Sequence, residues 1–193
     1  NLAFTGLSGI TFSVAKDSYA KNWVASHGFA YVEREPAVVA SGSCGENLTW
    51  SLTSDGVLTL DGTGSMATYY GEANIPWYAN RALITTVNVG AGVTKLTTNA
   101  FCGCTNLETV NFAENSQLQM LGGSVFKSCT SLKSITLPEG LTTISGNAFK
   151  YCRNLRNVYL PDTMSVIDNL AFTGLSGITF SVAKDSYAKR WAE

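Results

Sequence analysis

The stretch LPEGLTTISGNAFKYCRNL, from Leu137 to Leu155, contains the pattern that decides the fold. Its central phenylalanine belongs to a series of four in the second half of the chain. The series is Phe101, Phe126, Phe149 and Phe172, and the steps between successive members are nearly constant. Self-similarity at a fixed period of about 20–50 residues is typical of repeat architectures. The sequence therefore predicts a stack of similar units.

A short alternating run follows each phenylalanine. The runs are LETVNF, LKSITL, LRNVYL and LSGITF, and the earlier run ITTVNV begins the series at Ile84. Alternation with a period of two predicts a β-strand with one set of side chains in the core, including Ile178 and Phe180 in the last run. The period of about 23 residues lies within the range of about 20–29 residues for leucine-rich repeats. One unit cannot cover its own apolar face, so the units must stack.

The other set of side chains forms the open face of the predicted sheet. These side chains are short, uncharged and capable of hydrogen bonding, with one aromatic ring among them. Repeat proteins commonly bind partners along such surfaces. The alternative is that threonine, asparagine and serine only keep a strand surface hydrated, with threonine also favoured by its β-propensity. The candidate binding face comprises Thr86, Asn88, Thr109, Asn111, Ser134, Thr136, Asn157, Tyr159 and Thr179.

The quoted stretch and its neighbour LPDTMSVIDNLAF, from Leu160 to Phe172, closely resemble the BspA-type leucine-rich repeat family. The resemblance covers Ile84 to about Phe180 and extends to the preceding CGENLTWSLTSDGVLTLDGTGSM and IPWYANRALITTVNV. Two units depart from the pattern. AENSQLQ stands where the others have a turn led by proline, and the last unit lacks the cysteine of AFxxC and is three residues shorter between Phe172 and Leu175. The resemblance implies a non-enzymatic interaction and adhesion module of a secreted or cell-surface bacterial protein.

Two elements are predicted to close the array. NLTWSLTSDGVLTL, from Asn47 to Leu60, is typical of a β-hairpin, because two alternating runs flank a Ser-Asp-Gly turn. Its apolar face can cover the first repeat, which would otherwise invite association. VAKDSYAKRW predicts a short helix with its N-cap at Asp185 or Ser186. The predicted fold is an α/β to mainly β leucine-rich-repeat solenoid with an N-terminal β-hairpin lid and a short helical C-terminal cap.

The phrase NLAFTGLSGITFSVAKDSYAK occurs twice, beginning at Asn1 and again at Asn169. We expect the parent protein to carry consecutive units whose length is the separation between these two copies. EREPAVVASGS, residues 33–43, has the character of a linker. The predicted organisation is residues 1–38 as the C-terminal cap of a preceding unit with the start of a linker, 39–83 as linker and hairpin lid, 84–180 as repeats, and 181–193 as a truncated cap helix.

Composition and charge disfavour several classes of partner. The chain has 13 basic and 14 acidic residues, a net charge of −1 and only 14% charged residues. Nucleic-acid binding needs a basic stripe, and attachment to anionic membranes needs a basic cluster. No apolar run approaches the roughly 20 residues of a membrane helix, so no membrane insertion is expected within this segment.

The cysteines follow the repeat. Cys104, Cys129 and Cys152 occupy the same position in three successive units, which predicts a buried column of thiols. A metal site is the alternative, but zinc needs four converging ligands, whereas one ligand per stacked unit forms a line. Cys44 could form a disulfide with Cys102, and the sequence leaves that pairing open.

No catalytic residue is predicted. His27, the only histidine, lies at the end of the predicted helix of the first copy. A nucleophilic dyad needs a base held beside a serine or cysteine, whereas a cation at a helix C-terminus is an ordinary capping device. The few carboxylates lie mostly in turns and lack calcium-loop spacing. We therefore expect no enzyme activity, no metal and no cofactor.

A candidate aromatic patch lies in MATYYGEANIPWYANR, at Tyr69, Tyr70, Trp77 and Tyr78. Exposed flat rings could bind sugars or anchor a protein partner. The alternative, which we favour, is that the cluster fills the joint between the lid and the first repeat.

Three functions follow from these patterns. The leading hypothesis is an adhesion module that binds a host extracellular protein, a cell-surface protein or a glycan through the open face. The second is a structural spacer of a large surface protein, which the recurrence of the phrase at Asn169 favours. The third is a carbohydrate-binding module that uses the aromatic patch. An extracellular or cell-surface location is expected, as is docking between chains through residues 1–38.

Overall fold

The computed structural model describes residues 9–15 and 19–193. Residues 1–8 and 16–18 of the duplicated phrase lie outside the described residues. The chain forms two compact units, Asn1–Ala37 and Val38–Glu193.

The first unit contains a strand, a helix and a second strand. Strand β1 (Thr11–Ala15) pairs in parallel with strand β2 (Ala30–Arg34), and helix α1 (Tyr19–Ser26) connects them. A parallel pair needs such a crossover because a tight turn can join only antiparallel strands. Val14 and Val24 are buried, and they anchor the strand and the helix of this unit.

The second unit begins with a three-stranded antiparallel sheet. Strands β3 (Val38–Ser43), β4 (Asn47–Thr53) and β5 (Val57–Ser65) pair in that order. The predicted hairpin is present as β4 and β5, but the assignment of residues 38–43 to a linker was wrong. This segment forms a strand because its backbone pairs with the edge of β4 that β5 leaves open. Burial of side chains does not explain the strand, because Ala40 alone among them is partly buried.

Two rows of parallel strands form the solenoid. The first row consists of β6 (Thr86–Val89), β8 (Thr109–Phe112), β10 (Ser134–Thr136), β12 (Asn157–Tyr159) and β14 (Thr179–Ser181). The second row consists of β7 (Val93–Leu96), β9 (Met120–Leu121), β11 (Thr143–Ile144) and β13 (Val166–Ile167). The strands alternate between the two rows along the chain from β6 to β14, and the apolar side chains between the rows form one continuous core.

Strand β5 joins the lid to both rows. Its first half pairs with β6, with Leu60 opposite Val89, and its last residues pair with β7, with Gly64 opposite Val93. The lid is therefore hydrogen-bonded to the solenoid rather than only packed against it. The exposed end of the first repeat is covered in this way, as a solenoid requires.

A stack of aromatic rings runs through the core. Ring centroids of Phe101, Phe126 and Phe149 lie 5.5 Å apart in succession, and that of Phe172 lies 5.0 Å beyond Phe149. The predicted register of the four phenylalanines is thus confirmed. Trp77 extends the stack by one position, with its ring 5.5 Å from that of Phe101.

The C-terminal helix α2 (Tyr187–Ala192) closes the array. Ser186 is the N-cap, and its Oγ accepts a hydrogen bond from the Lys189 backbone N–H at 3.0 Å, so one of the two predicted caps is confirmed. Trp191 packs on Phe172 and Phe180 with centroid distances of 5.7 and 5.6 Å.

The register of β14 differs from the prediction. Phe180 pairs with Val158, so Phe180 takes the first inward position of the strand, and Ile178 lies before the strand begins. Ile178 and Phe180 both pack against the core, as predicted, but Phe180 and not Ile178 is the counterpart of Val158. The turn that follows Phe172 is shorter than in the other repeats. The first residues of the LSGITF run therefore serve to complete the turn, and the strand begins only at Thr179.

Candidate functional site

The strands β6 and β8 place the first four candidate residues on one surface. Thr86 is paired with Thr109, and Asn88 with Asn111, so the side chains form two short ladders across the strands. The Asn111 side-chain N–H donates to the Asn88 amide oxygen at 2.9 Å. This bond uses one donor of Asn111 and the amide oxygen of Asn88, so the Asn88 N–H groups and the Asn111 oxygen keep the capacity to bond to a partner.

The remaining candidate residues continue the same surface on β10, β12 and β14. Ser134, Asn157 and Thr179 are aligned in register, and Thr136 is aligned with Tyr159. Ser181 lies next to Tyr159 on β14 and belongs to this face, although it was not among the predicted residues. The structure therefore brings all nine predicted residues together on the outward side of the first row.

Tyr159 is the one aromatic side chain of this face. Its hydroxyl donates to Glu139 Oε1 at 3.1 Å, and 39% of its surface is exposed. This hydrogen bond to the carboxylate raises the pKa of the Tyr159 hydroxyl above its usual value, and the negative charge of Glu139 adds to the effect. The bond holds the hydroxyl in place while the side chain stays partly exposed.

The open face also extends onto the lid, which sequence reasoning missed. Thr59 on β5 is paired with Asn88 on one side and with Ser51 on the other. Ser41 is paired with Ser51, and Ser43 with Thr49, so the hydroxyl-bearing surface reaches the edge strand β3. The alternation of β4 could have predicted this extension. Leu48, Trp50 and Leu52 point into the core, so Thr49 and Ser51 must point outward.

A cleft of about 620 Å³ interrupts the face between β8 and β10. In the described part of the chain, β8 is paired only with β6, and β10 only with β12. The repeat from Phe101 to Phe126 is two residues longer than the others, and its AENSQLQ turn borders the cleft. The departure from the repeat pattern thus marks a break in the sheet. The lining carries three carboxylates, on Glu108, Glu114 and Glu139.

The candidate aromatic patch does not form one surface. Trp77 is only 1% exposed, and its indole N–H donates to the Ala100 carbonyl at 2.7 Å. Tyr70 is 89% exposed, whereas Tyr69 and Tyr78 pack partly against the core. Trp77 therefore has to be removed from the candidate patch, because it fills the ring position that phenylalanine holds in later repeats.

The cysteines are free, buried thiols. Cys104, Cys129 and Cys152 lie in successive repeats, and the Cys129 and Cys152 thiols donate to the carbonyls of Phe101 and Phe126 at 3.2 and 3.0 Å. Each of these two thiols therefore bridges to the preceding repeat. Burial raises the pKa of the Cys104 thiol to about 12 and that of Cys129 well above its usual value.

Cys44 and Cys102 do not form a disulfide, and both are free. The Cys102 thiol instead donates to Glu72 Oε1 at 3.3 Å, and Lys127 lies 4.0 Å from the same oxygen. Burial, together with the bond to Glu72, raises the pKa of Cys102 to about 12. Burial alone raises the pKa of Cys44 to about 11.

These thiols are expected to react slowly with Ellman's reagent in the native protein at pH 8. The thiolate is the reactive form, and pKa values of about 11–12 for Cys44, Cys102 and Cys104 leave very little of it at that pH. Unfolding in urea should release all five thiols. Rapid reaction of two or more thiols in the native state would contradict the buried column.

His27 makes local contacts at the end of α1. Its Nδ1 lies 2.8 Å from the Trp23 carbonyl oxygen and 3.1 Å from Ser26 Oγ, and its ring stacks on Trp23 at 4.3 Å. The Ser26 hydroxyl also donates to the Trp23 carbonyl, at 2.9 Å. Both side chains are thus bonded to the last turn of the helix. Residues 9–15 and 19–193 contain no group of three or more metal-ligating side chains.

The repeats between residues 76 and 187 match the model of the BspA type leucine rich repeat region, in six copies. This match covers more than half of the chain and begins next to Trp77, where the aromatic stack begins. The chain belongs to the BspA-type leucine-rich repeat family. The resemblance inferred from the sequence is confirmed, as is the solenoid fold.

Solved structures that are similar to this chain include bacterial leucine-rich repeat proteins. A leucine-rich repeat protein from Eubacterium ventriosum ATCC 27560 shares 26% identity over 74% of this chain, with a TM-score of 0.55. The chain spans 44% of the length of that protein. A leucine rich cell surface protein from Faecalibacterium prausnitzii A2-165 shares 23% identity over 76% of this chain and 51% of its own, with a TM-score of 0.40.

No curated protein matches the chain in sequence. Among the residues described, neither helix has the length and apolar character that a membrane crossing requires.

Proposed function

We propose that this chain is a non-enzymatic adhesion module of a secreted or cell-surface bacterial protein, and that it binds its partner through the open face of the first strand row. The observation that carries the proposal is the uniform polar character of that face on both sides of the cleft between β8 and β10. Hydroxyl and amide side chains occupy its outward positions from the lid to β14, and none of the nine predicted residues is charged. The partner is a host extracellular protein, a cell-surface protein or a glycan.

The family supports the coarser part of this proposal. The chain is a BspA-type repeat array whose core is filled by side chains, and stacked repeats present long regular surfaces. Tyr159 supplies a partly exposed ring whose hydroxyl bonds to Glu139, a residue of the cleft lining, and an aromatic side chain in such a position can act as an anchor.

The second candidate function is a structural spacer in a large surface protein. The near-exact recurrence at Asn169 of the phrase that begins at Asn1 favours it, because recently copied units need not have acquired separate ligands. The third hypothesis is sugar binding by the aromatic patch. It is weakened because Trp77, the central ring of the patch, is buried and cannot contact a sugar.

A screen against fibronectin, fibrinogen, mucin and a glycan array, by surface plasmon resonance, separates these functions. Saturable binding to one of them is expected for the adhesion module, whereas a spacer would bind none.

Replacement of Asn157 and Tyr159 together by alanine is expected to weaken binding to any ligand found by at least about tenfold, because anchor residues at the centre of an interface dominate affinity. The matched control replaces Thr143 and Val166, which lie on the second strand row, and should leave affinity unchanged. An equal loss in both double variants would exclude the open face as the binding surface.

A further inference from the structure

The cleft between β8 and β10 interrupts the backbone hydrogen bonds of the first strand row. The N–H groups of Thr109 and Ala113 donate to carbonyl oxygens on the side of β6. Because successive residues of a strand direct their backbone groups to opposite sides, those of Val110 and Phe112 are directed at the cleft. The residues described include no backbone hydrogen bond between β8 and β10. One wall of the cleft is therefore the edge of a strand.

The opposite wall is a strand edge as well. The Lys133 carbonyl and the Leu137 N–H are bonded to the backbone of the β12 segment. The backbone groups of Ser134 and Thr136, which alternate with these two residues, face the cleft. Backbone polar groups are almost always paired with protein or with water. An extended segment of a partner can therefore take the place of water at these edges, as in other proteins that bind peptides at the edge of a sheet.

The floor of the cleft is apolar. Val110 and Ile135, which are 9% and 4% exposed, lie in its lining together with Phe112 and Pro138. Long charged side chains bury their apolar stems along such surfaces and keep the charged group near water. The cleft thus matches a long side chain that carries its charge at the tip.

The charge of the cleft is negative throughout. Glu114 and Glu139 follow β8 and β10 at one end, and Glu108 precedes β8 at the other. Of the residues described, none that lines the cleft is basic. The ion pairs within residues 19–193 include none of these three carboxylates. Because a carboxylate only accepts hydrogen bonds, the complement of this lining is a cation with several donors.

We propose that the cleft between β8 and β10 binds an arginine side chain from an extended segment of a partner protein. The guanidinium group binds Glu114 and Glu139, and the stem of the arginine packs against Val110 and Ile135. Arginine is preferred to lysine because its planar group carries five donors and can bond to two carboxylates at once. The inference rests on the proposed function. It narrows the partner to a protein with a basic segment and disfavours acidic glycans.

The test uses a peptide of the sequence GSVRVSG with blocked ends, titrated into the full chain and followed by the amide chemical shifts of the isotope-labelled protein. The matched control peptide carries citrulline, which has nearly the shape of arginine but no charge. Saturable shifts of β8 and β10 amides are expected, with at least about tenfold weaker binding of the citrulline peptide, because charge-assisted hydrogen bonds are the stronger ones. Equal binding of both peptides, or no saturable shifts in these strands, would overturn the proposal.

Neutral variants of the carboxylates locate the arginine. Glu114→Gln and Glu139→Gln together should weaken binding of the arginine peptide at least about fourfold, as expected for two exposed ion pairs. Asp162→Asn is the matched control. Asp162 follows Pro161 as Glu139 follows Pro138, but it does not line the cleft. The control should change the affinity by less than about twofold. A larger loss in the control than in the double variant would exclude the cleft as the arginine site.

The same double variant distinguishes this inference from the proposed function. A protein found in the binding screen should lose affinity in the cleft variant as well as in the alanine variant of Asn157 and Tyr159. A loss in the alanine variant alone would keep the open face as the binding surface and overturn the arginine site. The peptide titration needs no partner from the screen, so it tests the cleft even if the screen finds none.

Discussion

Replacement of Phe126 by alanine is expected to lower the free energy of unfolding by about 3–5 kcal/mol. The side chain is fully buried, and its ring stacks between those of Phe101 and Phe149 at 5.5 Å on each side. Its removal leaves a cavity between two flat rings that the backbone hydrogen bonds of the repeats hold apart. A typical domain is stable by only about 5–15 kcal/mol, so this one change removes a large share of the total.

The position of Phe126 within the stack adds to the effect. Each repeat contacts mainly its neighbours, so a defect in the middle weakens the coupling between the repeats on its two sides. Urea unfolding followed by far-UV circular dichroism should show an earlier midpoint and a broader transition. Phe172→Ala is the control, because the ring of Phe172 occupies the same slot but is only partly buried at the end of the array. An equal loss in both variants would contradict the cooperative stack.

The repeat core was predictable from the sequence because stacking forces equivalent residues into equivalent positions. Phe101, Phe126 and Phe149 recur at nearly constant steps, and any solenoid with that period must superimpose them. The place of Trp77 in the stack was not predicted, because the sequence IPWYAN does not resemble the corresponding segments of the later repeats. The structure shows that this position of the stack accepts any flat aromatic ring and is not restricted to phenylalanine.

Features that depend on contacts between distant segments were not predictable in the same way. Residues 38–43 have a linker-like composition, and they form β3 because an unpaired edge of β4 lies beside them. The shift of Phe180 arises because a shortened turn delays the last strand, and alternation alone fits either register. The pairing of Cys44 with Cys102 was open in the sequence, and the structure shows free thiols instead.

The candidate face was predictable in part. Alternation placed Thr86 through Thr179 on one side of the sheet because every inward residue fixes the direction of its neighbours. Its continuation onto the lid and its interruption between β8 and β10 depend on how β5 joins β6 and on an irregular turn.

Gly62→Ala is expected to lower the free energy of unfolding by about 2–6 kcal/mol, the sum of backbone strain and overpacking. Gly62 has a φ of +106°, where a side chain brings strain of about 1–3 kcal/mol. A Cβ atom there would collide with the backbone oxygen of Asn47, and overpacking of this kind adds about 1–3 kcal/mol. The oxygen cannot move freely, because Asn47 is paired with Thr63 in the sheet between β4 and β5.

Gly64→Ala separates the two causes of this loss. Gly64 has a similar φ of +101°, but a Cβ atom there would meet nothing within 4 Å, so only the backbone strain applies. Thermal and urea unfolding of the two variants should therefore differ by at least about 1 kcal/mol, with Gly62→Ala the less stable. Gly62 lies between the part of β5 that pairs with β6 and the part that pairs with β7, so crowding there disturbs the attachment of the lid to both strand rows. Equal stability of the two variants would mean that β4 yields to the added methyl group and that the lid is not held rigidly at this corner.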